Sequence, residues 1–225
     1  MIDLQEVIDR QRVGKPHLVL LALCTMIMFI DSFDIFMVGQ IAPAIAQDMG
    51  EAPARLTIVF LVQQIGLAVG AFLISPLSDR WGRKPLLIGC SIAFGVVTLI
   101  SLAATSLVML AALRGLAGLF LAAVTPNVAA LLTEFAPPRQ RAAFVTYSFV
   151  GYVAGTGAAA LITIFLLGEY GWRSCLLIGG VMPLVFALLF ALFGEESLQF
   201  RARRDPEDPS IARMLAVSPA VRRAA

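Results

Sequence analysis

A short charged segment between two long uncharged stretches limits what this chain can fold into. Residues 78–84 carry four charged side chains, Asp79, Arg80, Arg83 and Lys84. The uncharged stretch on each side is at least as long as the roughly 20 residues that a helix needs to cross a bilayer. Unpaired charges are costly in hydrocarbon, so the segment predicts a tight turn at a membrane surface that joins two spanning helices. Because short basic loops stay on the cytoplasmic side, it also predicts the side on which this turn lies.

The rest of the composition is typical of an all-α integral membrane protein. Hydrophobic residues make up 59% of the 225 residues and charged residues 14%, and the mean hydropathy is +0.87, far from the values of soluble domains. The organisation we expect is a cytoplasmic lead over residues 1–17, a transmembrane domain over 18–194 and a cytoplasmic tail over 195–225. The apolar runs predict a bundle of six spans, at about 18–44, 55–78, 85–103, 106–133, 142–167 and 172–193. Asp31 and Asp34 interrupt the first of these runs and Arg114 the fourth, and the others carry almost no charge except near their ends.

The lysines and arginines predict the orientation. With the N-terminus inside, 14 of the 17 basic residues fall in inner segments, and the outer loops hold only Arg55 and Arg173. This bias predicts a multi-pass membrane protein with both termini cytoplasmic, and we expect it in the inner (plasma) membrane. Because the loop bias accounts for the net charge of +2, the charge does not indicate a nucleic-acid partner.

The residue patterns predict no enzyme, cofactor or metal site. The sequence has no CxxC, no metal-ligand spacing, no nucleotide-binding loop and no nucleophile with a plausible base. The three cysteines all fall in apolar runs, which favours packing over a disulfide or a metal site. They are Cys24, Cys90 and Cys175.

Two carboxylates in the middle of the first span are the strongest candidates for chemistry. Asp31 and Asp34 are three residues apart, which places them on one face of a helix. A carboxylate in hydrocarbon costs several kcal/mol unless it faces a cavity or a partner. Burial and mutual repulsion both favour the protonated form, so the pair can hold and release a proton near neutral pH. We predict a proton-coupling site; the alternative is a structural pair locked to a buried cation.

Arg114, inside the fourth span, is the expected partner of these carboxylates. At ~1.5 Å per residue, Asp34 and Arg114 lie at similar depths, roughly 15 Å and 12 Å from the outer ends of their helices. An arginine there can pair with Asp34, bind a substrate carboxylate through its planar fork, or alternate between the two. A purely structural ion pair is the alternative.

Other polar residues predict a substrate contact and a pair of helix-end charges. Asn127 ranks first among the polar positions inside spans because it follows Pro126, where a bend is expected; ordinary interhelical hydrogen bonding is the alternative.

Glu134, at the inner end of the fourth span, is expected at the level of Arg83. Such a pair ties helix ends together and can break as the protein changes shape; charges that only set topology are the alternative.

Glycines on the fifth span predict a close helix contact, and a short sequence similarity between two spans indicates an internal repeat. Gly151, Gly155 and Gly157 are expected to form a small-residue face on the fifth span. Residues 86–90 of the third span are similar to residues 176–180 of the sixth. Three helices repeated once in inverted orientation are common in secondary transporters.

Several of these motifs resemble one family. Residues 75–84 resemble the signature loop between helices 2 and 3 of the major facilitator superfamily. The aromatic acid:proton symporter branch of that family is similar in six segments, at 31–34, 39–46, 114–118, 126–127, 134–137 and 171–173. The resemblance implies half of a major facilitator fold, with two inverted three-helix repeats, and proton-driven uptake of small organic anions by alternating access, with aromatic carboxylates as the expected cargo.

The resemblance also assigns roles. The family's acidic pair, which is linked to the proton and the substrate, corresponds to Asp31 and Asp34, and its helix-4 arginine corresponds to Arg114. Its inward–outward switch corresponds to Asp79, Arg80, Gly82, Arg83 and Lys84. From the residue patterns above, we add Asn127 to the expected substrate contacts and Glu134 to the expected switch.

The sequence departs from the family pattern at several points. Ser75 and Ser32 stand where the family usually has glycine. Family members have twelve helices, with the substrate between two halves. We therefore expect this chain to need a second six-helix half, either on a separate chain or from self-association. The other expected partners are the lipid bilayer, the small organic anion and the proton. A different cargo (sugar, drug or other metabolite) and a truncated, non-transporting membrane protein are the alternatives.

Overall fold

The computed structural model describes residues 14–196, and their regular structure is entirely helical. Five helical stretches are long and apolar enough to cross a membrane. They are α1 (Lys15–Met49), α2 (Pro53–Trp81), α3 (Arg83–Ala103), α4 (Leu107–Phe135) and a fifth stretch, Arg141–Phe193. Most of the expected lead (1–17) and tail (195–225) lies outside the described residues.

The fifth stretch contains two helices because its backbone is not helical at Gly171. The φ of 72° and ψ of 175° there belong to a region that glycine enters without a steric cost. We call residues 141–170 α5 and residues 172–193 α6. The described chain therefore forms the all-helical membrane bundle that the sequence predicts.

A proline interrupts α4 as well. The helix is built from Leu107–Leu121 and Val124–Phe135. Pro126 has no N–H for the carbonyl of Ala122, four residues before it, and its ring crowds that carbonyl. The Asn127 amide Nδ2 donates to the carbonyl oxygen of Ala123 at 2.7 Å, while the backbone N–H of the same residue is 3.4 Å from that oxygen. The side chain thus supplements a weakened backbone hydrogen bond beside the interruption.

Contacts at one end of the bundle bring both ends of the described chain together. His17, at the start of α1, lies 5.1 Å from the ring of Phe135 at the end of α4. Lys84, at the start of α3, donates through Nζ to the carbonyl oxygen of Gly194 after α6, at 2.7 Å. The start of α1 and the end of α6 therefore lie at the same end of the bundle.

The opposite end is joined by a second set of contacts. Asp48, near the end of α1, accepts a hydrogen bond from Trp172 Nε1 at the start of α6, at 3.1 Å. Arg173 donates to the carbonyl oxygen of Leu102, near the end of α3, at 3.3 Å. Taken with the contacts at the first end, these contacts show that α1 runs antiparallel to α4 and that α3 runs antiparallel to α6.

Three pairs of helices pack through glycines, and the pairs follow an inverted repeat. The pairs are α1 with α5, α2 with α4, and α3 with α6; their closest glycines are Gly151, Gly155, Gly66, Gly70, Gly95 and Gly180. If α1, α2 and α3 change places with α4, α5 and α6 in that order, the α1–α5 pair becomes the α4–α2 pair, and the α3–α6 pair stays the same. This invariance is what two three-helix repeats predict.

Gly157 does not take part in the contact that the sequence predicts for it. A Cβ at Gly151 or Gly155 would lie 2.1 or 2.2 Å from a carbonyl oxygen of α1, but a Cβ at Gly157 would meet nothing within 4 Å. Two residues along a helix turn the side chain away from the face that residue 155 presents. The small-residue face therefore holds two of the three predicted glycines.

We predict that Gly155→Ala destabilises the bundle and Gly157→Ala does not. The added methyl group at residue 155 would lie 2.2 Å from the carbonyl oxygen of Phe29 and from the hydroxyl of Ser32. Such overpacking costs typically about 1–3 kcal/mol, whereas an alanine in an open helical position is neutral or slightly stabilising. Unfolding of both variants in mixed micelles measures the difference. Equal stability of the two would contradict the close α1–α5 contact.

Candidate functional site

A buried ion pair joins α1 to α4 in the middle of the bundle. Arg114 Nη1 donates to Asp34 Oδ1 at 2.9 Å, and both side chains are completely buried. Arg114 Nη2 donates to Thr98 Oγ1 of α3 at 2.7 Å. The cross-helix contact expected from the matching depths is present, and the threonine fixes the second arm of the guanidinium.

This pair keeps unused hydrogen-bonding capacity. Asp34 Oδ2 and Arg114 Nε are buried, and neither has a hydrogen-bond partner among residues 14–196. Buried polar atoms in folded proteins are nearly always satisfied, so exceptions call for an explanation. A purely structural pair gains nothing from a spare acceptor and a spare donor. A site that binds a proton and an anion in turn needs both.

Asp31 lies in different surroundings from Asp34. It is 4% exposed, and its Oδ2 accepts a hydrogen bond from Thr125 Oγ1 of α4 at 3.2 Å. It borders a groove of about 390 Å³ formed by α1, α2, α4 and α5, whose wall also includes Phe149 and Tyr152. Asp31 is therefore the carboxylate of the two that borders an open space.

The two aspartates, expected on one face of α1, both accept a hydrogen bond from α4, but from different residues, Arg114 and Thr125. Asp34 lies against α4 through Arg114 and against α6, where a Cβ at Gly179 would be only 3.6 Å from Oδ1. Asp31 lies beside Thr125 and the groove. Three residues turn a helix by about 300°, so the two side chains are close in direction but not coincident. The small difference is enough to separate a sealed carboxylate from an accessible one.

Asn127 is buried within its own helix. It is 2% exposed, and its Nδ2 donates to the Ala123 carbonyl oxygen as described above. The structure thus gives it a local role beside the interruption of α4. Its contact with a substrate stays a prediction.

The charged turn joins three helix ends. Gly82 has φ 97° and ψ 157°, which lets α3 start directly after the turn. Arg83 Nε donates to Glu134 Oε2 at 3.0 Å, and its Nη2 donates to the other oxygen of the same carboxylate. Asp79 and Arg80 are exposed, and no ion pair links them to another residue between 14 and 196.

Glu196 is a functional candidate that sequence reasoning missed. Its carboxylate accepts hydrogen bonds from the backbone N–H groups of Arg83 at 3.1 Å and Lys84 at 3.2 Å. A carboxylate is favoured at this position because the unpaired N–H groups of a helix start carry partial positive charge. The available signal was an acidic residue directly after the sixth predicted span, at the level of the basic turn.

Asp48 was also missed, together with its partners. Arg173 Nη1 donates to Asp48 Oδ2 at 2.9 Å, and its guanidinium lies 4.3 Å from the centre of the Trp172 ring. This cluster links α1 to α6 at the end opposite the charged turn. The signal was an acid a few residues beyond the outer end of the first predicted span and an arginine at the outer start of the sixth.

We predict a measurable coupling between Arg83 and Glu134. Their two hydrogen bonds are charge-assisted and their side chains are only 18% and 16% exposed, so a double-mutant cycle with Arg83→Gln and Glu134→Gln should give about 1–3 kcal/mol. Thermal unfolding of the four proteins measures it. Arg80→Gln is the matched control in the same turn and should leave the midpoint unchanged. A coupling energy near zero would remove this pair from the proposed switch.

Comparisons with known proteins agree with this architecture. The family described as Major Facilitator Superfamily matches residues 24–223. The chain is 37% identical over 214 residues to the 4-hydroxybenzoate transporter PcaK of Pseudomonas putida, covering 95% of this chain and 48% of that protein. It is 35% identical over 215 residues to the gallate transporter of Pseudomonas putida, covering 96% and 48%. The chain spans about half the length of the curated relatives it matches.

Solved structures show the same fold. The proton:xylose symporter XylE bound to 6-bromo-6-deoxy-D-glucose matches with a TM-score of 0.77 and 15% identity, over 88% of this chain and 49% of that one. A bacterial homolog of the human lysosomal transporter Spinster, inward-facing and unoccupied, matches with a TM-score of 0.73 and 20% identity, over 83% and 44%. With its membrane-length helices, this is a multi-pass membrane protein. The match over residues 24–223 places it in a family as well: the chain belongs to the Major Facilitator Superfamily.

Proposed function

We propose that this chain contributes the N-terminal six-helix half of a proton-coupled secondary transporter that takes up small aromatic carboxylates by alternating access. The observation that carries the proposal is the buried Asp34–Arg114 pair with its spare acceptor and donor, next to the groove bordered by Asp31. The names of the relatives, which specify 4-hydroxybenzoate and gallate, support aromatic acids as the cargo.

Charge balance gives the coupling mechanism. With both carboxylates ionised, Asp31, Asp34 and Arg114 together carry one net negative charge, which repels an anion. A proton on one carboxylate removes that repulsion, and an anionic substrate then competes for the guanidinium through the same planar fork that binds Asp34. An anion without the proton would bring the site to two net negative charges, which is expensive at this depth, so the anion binds only when the proton is bound.

Each carboxylate has a distinct part in this mechanism. Asp31 borders the groove and takes up the proton, and its Thr125 hydrogen bond holds it in place. Asp34 holds Arg114 when no substrate is bound. Thr98 keeps the guanidinium oriented in both situations, because its hydrogen bond uses a nitrogen that Asp34 does not.

The clusters at the two ends of the bundle act as the conformational latches. The Arg83–Glu134 pair and the Glu196 contacts join α3, α4 and α6 at one end, and the Asp48 cluster joins α1 and α6 at the other. The exposed Asp79 and Arg80 are available to a second six-helix half across the cavity. The basic turn and the two described chain ends share one end of the bundle, which we place at the cytoplasmic face of the inner membrane.

Uptake of labelled 4-hydroxybenzoate into proteoliposomes tests the proposal. The chain is reconstituted alone and together with a six-helix partner half, and a pH gradient, acidic outside, is imposed. Gradient-dependent uptake that Arg114→Met abolishes supports the proposal. Uptake of xylose but not of 4-hydroxybenzoate would change the cargo. Uptake of neither solute under both conditions would favour a non-transporting membrane protein.

A further inference from the structure

We propose that Tyr152 determines specificity by stacking on the aromatic ring of the transported acid. This inference rests on the proposed function and adds the part of the chain that recognises the ring rather than the carboxylate. Tyr152 lies on α5 and lines the same groove as Asp31. Its hydroxyl forms no hydrogen bond with any residue between 14 and 196.

Two neighbouring rings fix the position of the Tyr152 ring. Phe36 of α1 meets it edge to face, with 6.5 Å between ring centres and an interplanar angle of 83°. Phe149, one helical turn earlier on α5, lies at 6.4 Å and 46°. Both distances fall within the range of favourable aromatic pairs. Tyr152 is therefore held as a half-buried ring whose remaining surface borders the groove.

The groove has the size and the chemistry for one aromatic ring. Its volume of about 390 Å³ is at the lower end of the range of small-molecule sites. Ala71 and Ala122 leave room along its wall, while Asp31 and Thr125 supply a polar side. A flat apolar ring with polar substituents fits such a groove better than a sugar, which would bring hydroxyl groups against the apolar wall.

A ring-to-ring contact makes a prediction that general hydrophobic burial does not. An aromatic pair contributes about 0.5–1.5 kcal/mol beyond the area it buries, which corresponds to a roughly 2- to 13-fold change in affinity. A saturated acid of the same charge and nearly the same size buries a similar area but lacks this contribution. Tyr152 thus sets the preference for benzoate over cyclohexanecarboxylate.

Ligand-observed NMR titrations of the whole chain, reconstituted in lipid nanodiscs with the same six-helix partner half, test this inference. The wild-type chain is expected to bind benzoate several-fold more tightly than cyclohexanecarboxylate. Tyr152→Leu should remove this preference by weakening benzoate alone, and Tyr152→Phe should retain it. Tyr147→Leu is the matched control on the same helix, because Tyr147 is 59% exposed and lies outside the groove.

Each outcome separates this inference from the function on which it rests. If Tyr152→Leu keeps the benzoate preference, or weakens both acids equally, the ring only packs α1 against α5 and the inference is overturned while the function stands. If the wild-type chain binds neither acid, the proposed cargo is wrong and the inference is overturned with it. Thermal unfolding of each variant confirms that the bundle is intact.

Discussion

Replacing Arg114 by methionine is expected to lower the free energy of unfolding by about 3–5 kcal/mol, because Asp34 is then left buried without its cation. The double variant Asp34→Asn/Arg114→Met removes both charges and should regain most of the stability. Because the anion site is absent in both proteins, neither should accumulate 4-hydroxybenzoate. Unfolding in mixed micelles, together with uptake, gives both readouts.

Two results would contradict this account of the pair. A double variant that still accumulates substrate would make the ion pair purely structural, which is the alternative that the sequence leaves open. A double variant as unstable as Arg114→Met would show that the lost stability does not come from the stranded charge. Thr98→Val is a useful control, because it removes one hydrogen bond to the guanidinium but keeps both charges; we expect a loss of about 1–3 kcal/mol.

The bundle and the ion pair could be predicted because hydrocarbon leaves few alternatives. A charged turn between two uncharged runs has to lie at a membrane surface. An arginine and an aspartate in hydrocarbon each have to find a partner or a cavity, and helix arithmetic places Asp34 and Arg114 at the same depth, which makes each the expected partner of the other. The position of the charged turn is thus constrained by the local sequence, and the ion pair by the depth of its residues in the bilayer. Both can be read from a single amino-acid sequence.

The remaining features depend on how the helices are rotated about their axes, which the sequence does not specify. Asp31 and Asp34 have different neighbours because the packing of α1 places Asp34 against Arg114 and α6, and Asp31 against Thr125 and the groove. Gly157 lies outside the glycine contact for the same reason. The Glu196 contact joins residues more than 110 positions apart, so no local pattern predicts it.

Asp31→Asn is expected to uncouple transport from the pH gradient without preventing exchange. Asparagine has the shape and the charge of a protonated aspartate, so it removes the repulsion of the anion permanently, and the groove and the Arg114 site remain. For the wild-type protein with its partner half, a gradient of about one pH unit can drive up to about tenfold accumulation for each proton. The variant should reach only the equilibrium distribution, while exchange of labelled for unlabelled 4-hydroxybenzoate continues.

Uptake with and without a pH gradient, and exchange at equal pH, measure the two activities separately. Thr125→Val is the matched control: it removes the hydrogen bond to Asp31 but keeps the titrating carboxylate, so accumulation should persist. Gradient-driven accumulation by Asp31→Asn would assign the transported proton to Asp34 instead. In that case the sealed carboxylate would titrate, and Arg114 would have to leave it in every cycle, because a protonated Asp34 no longer compensates the buried guanidinium. Loss of both activities would instead place Asp31 in the binding of the acid itself.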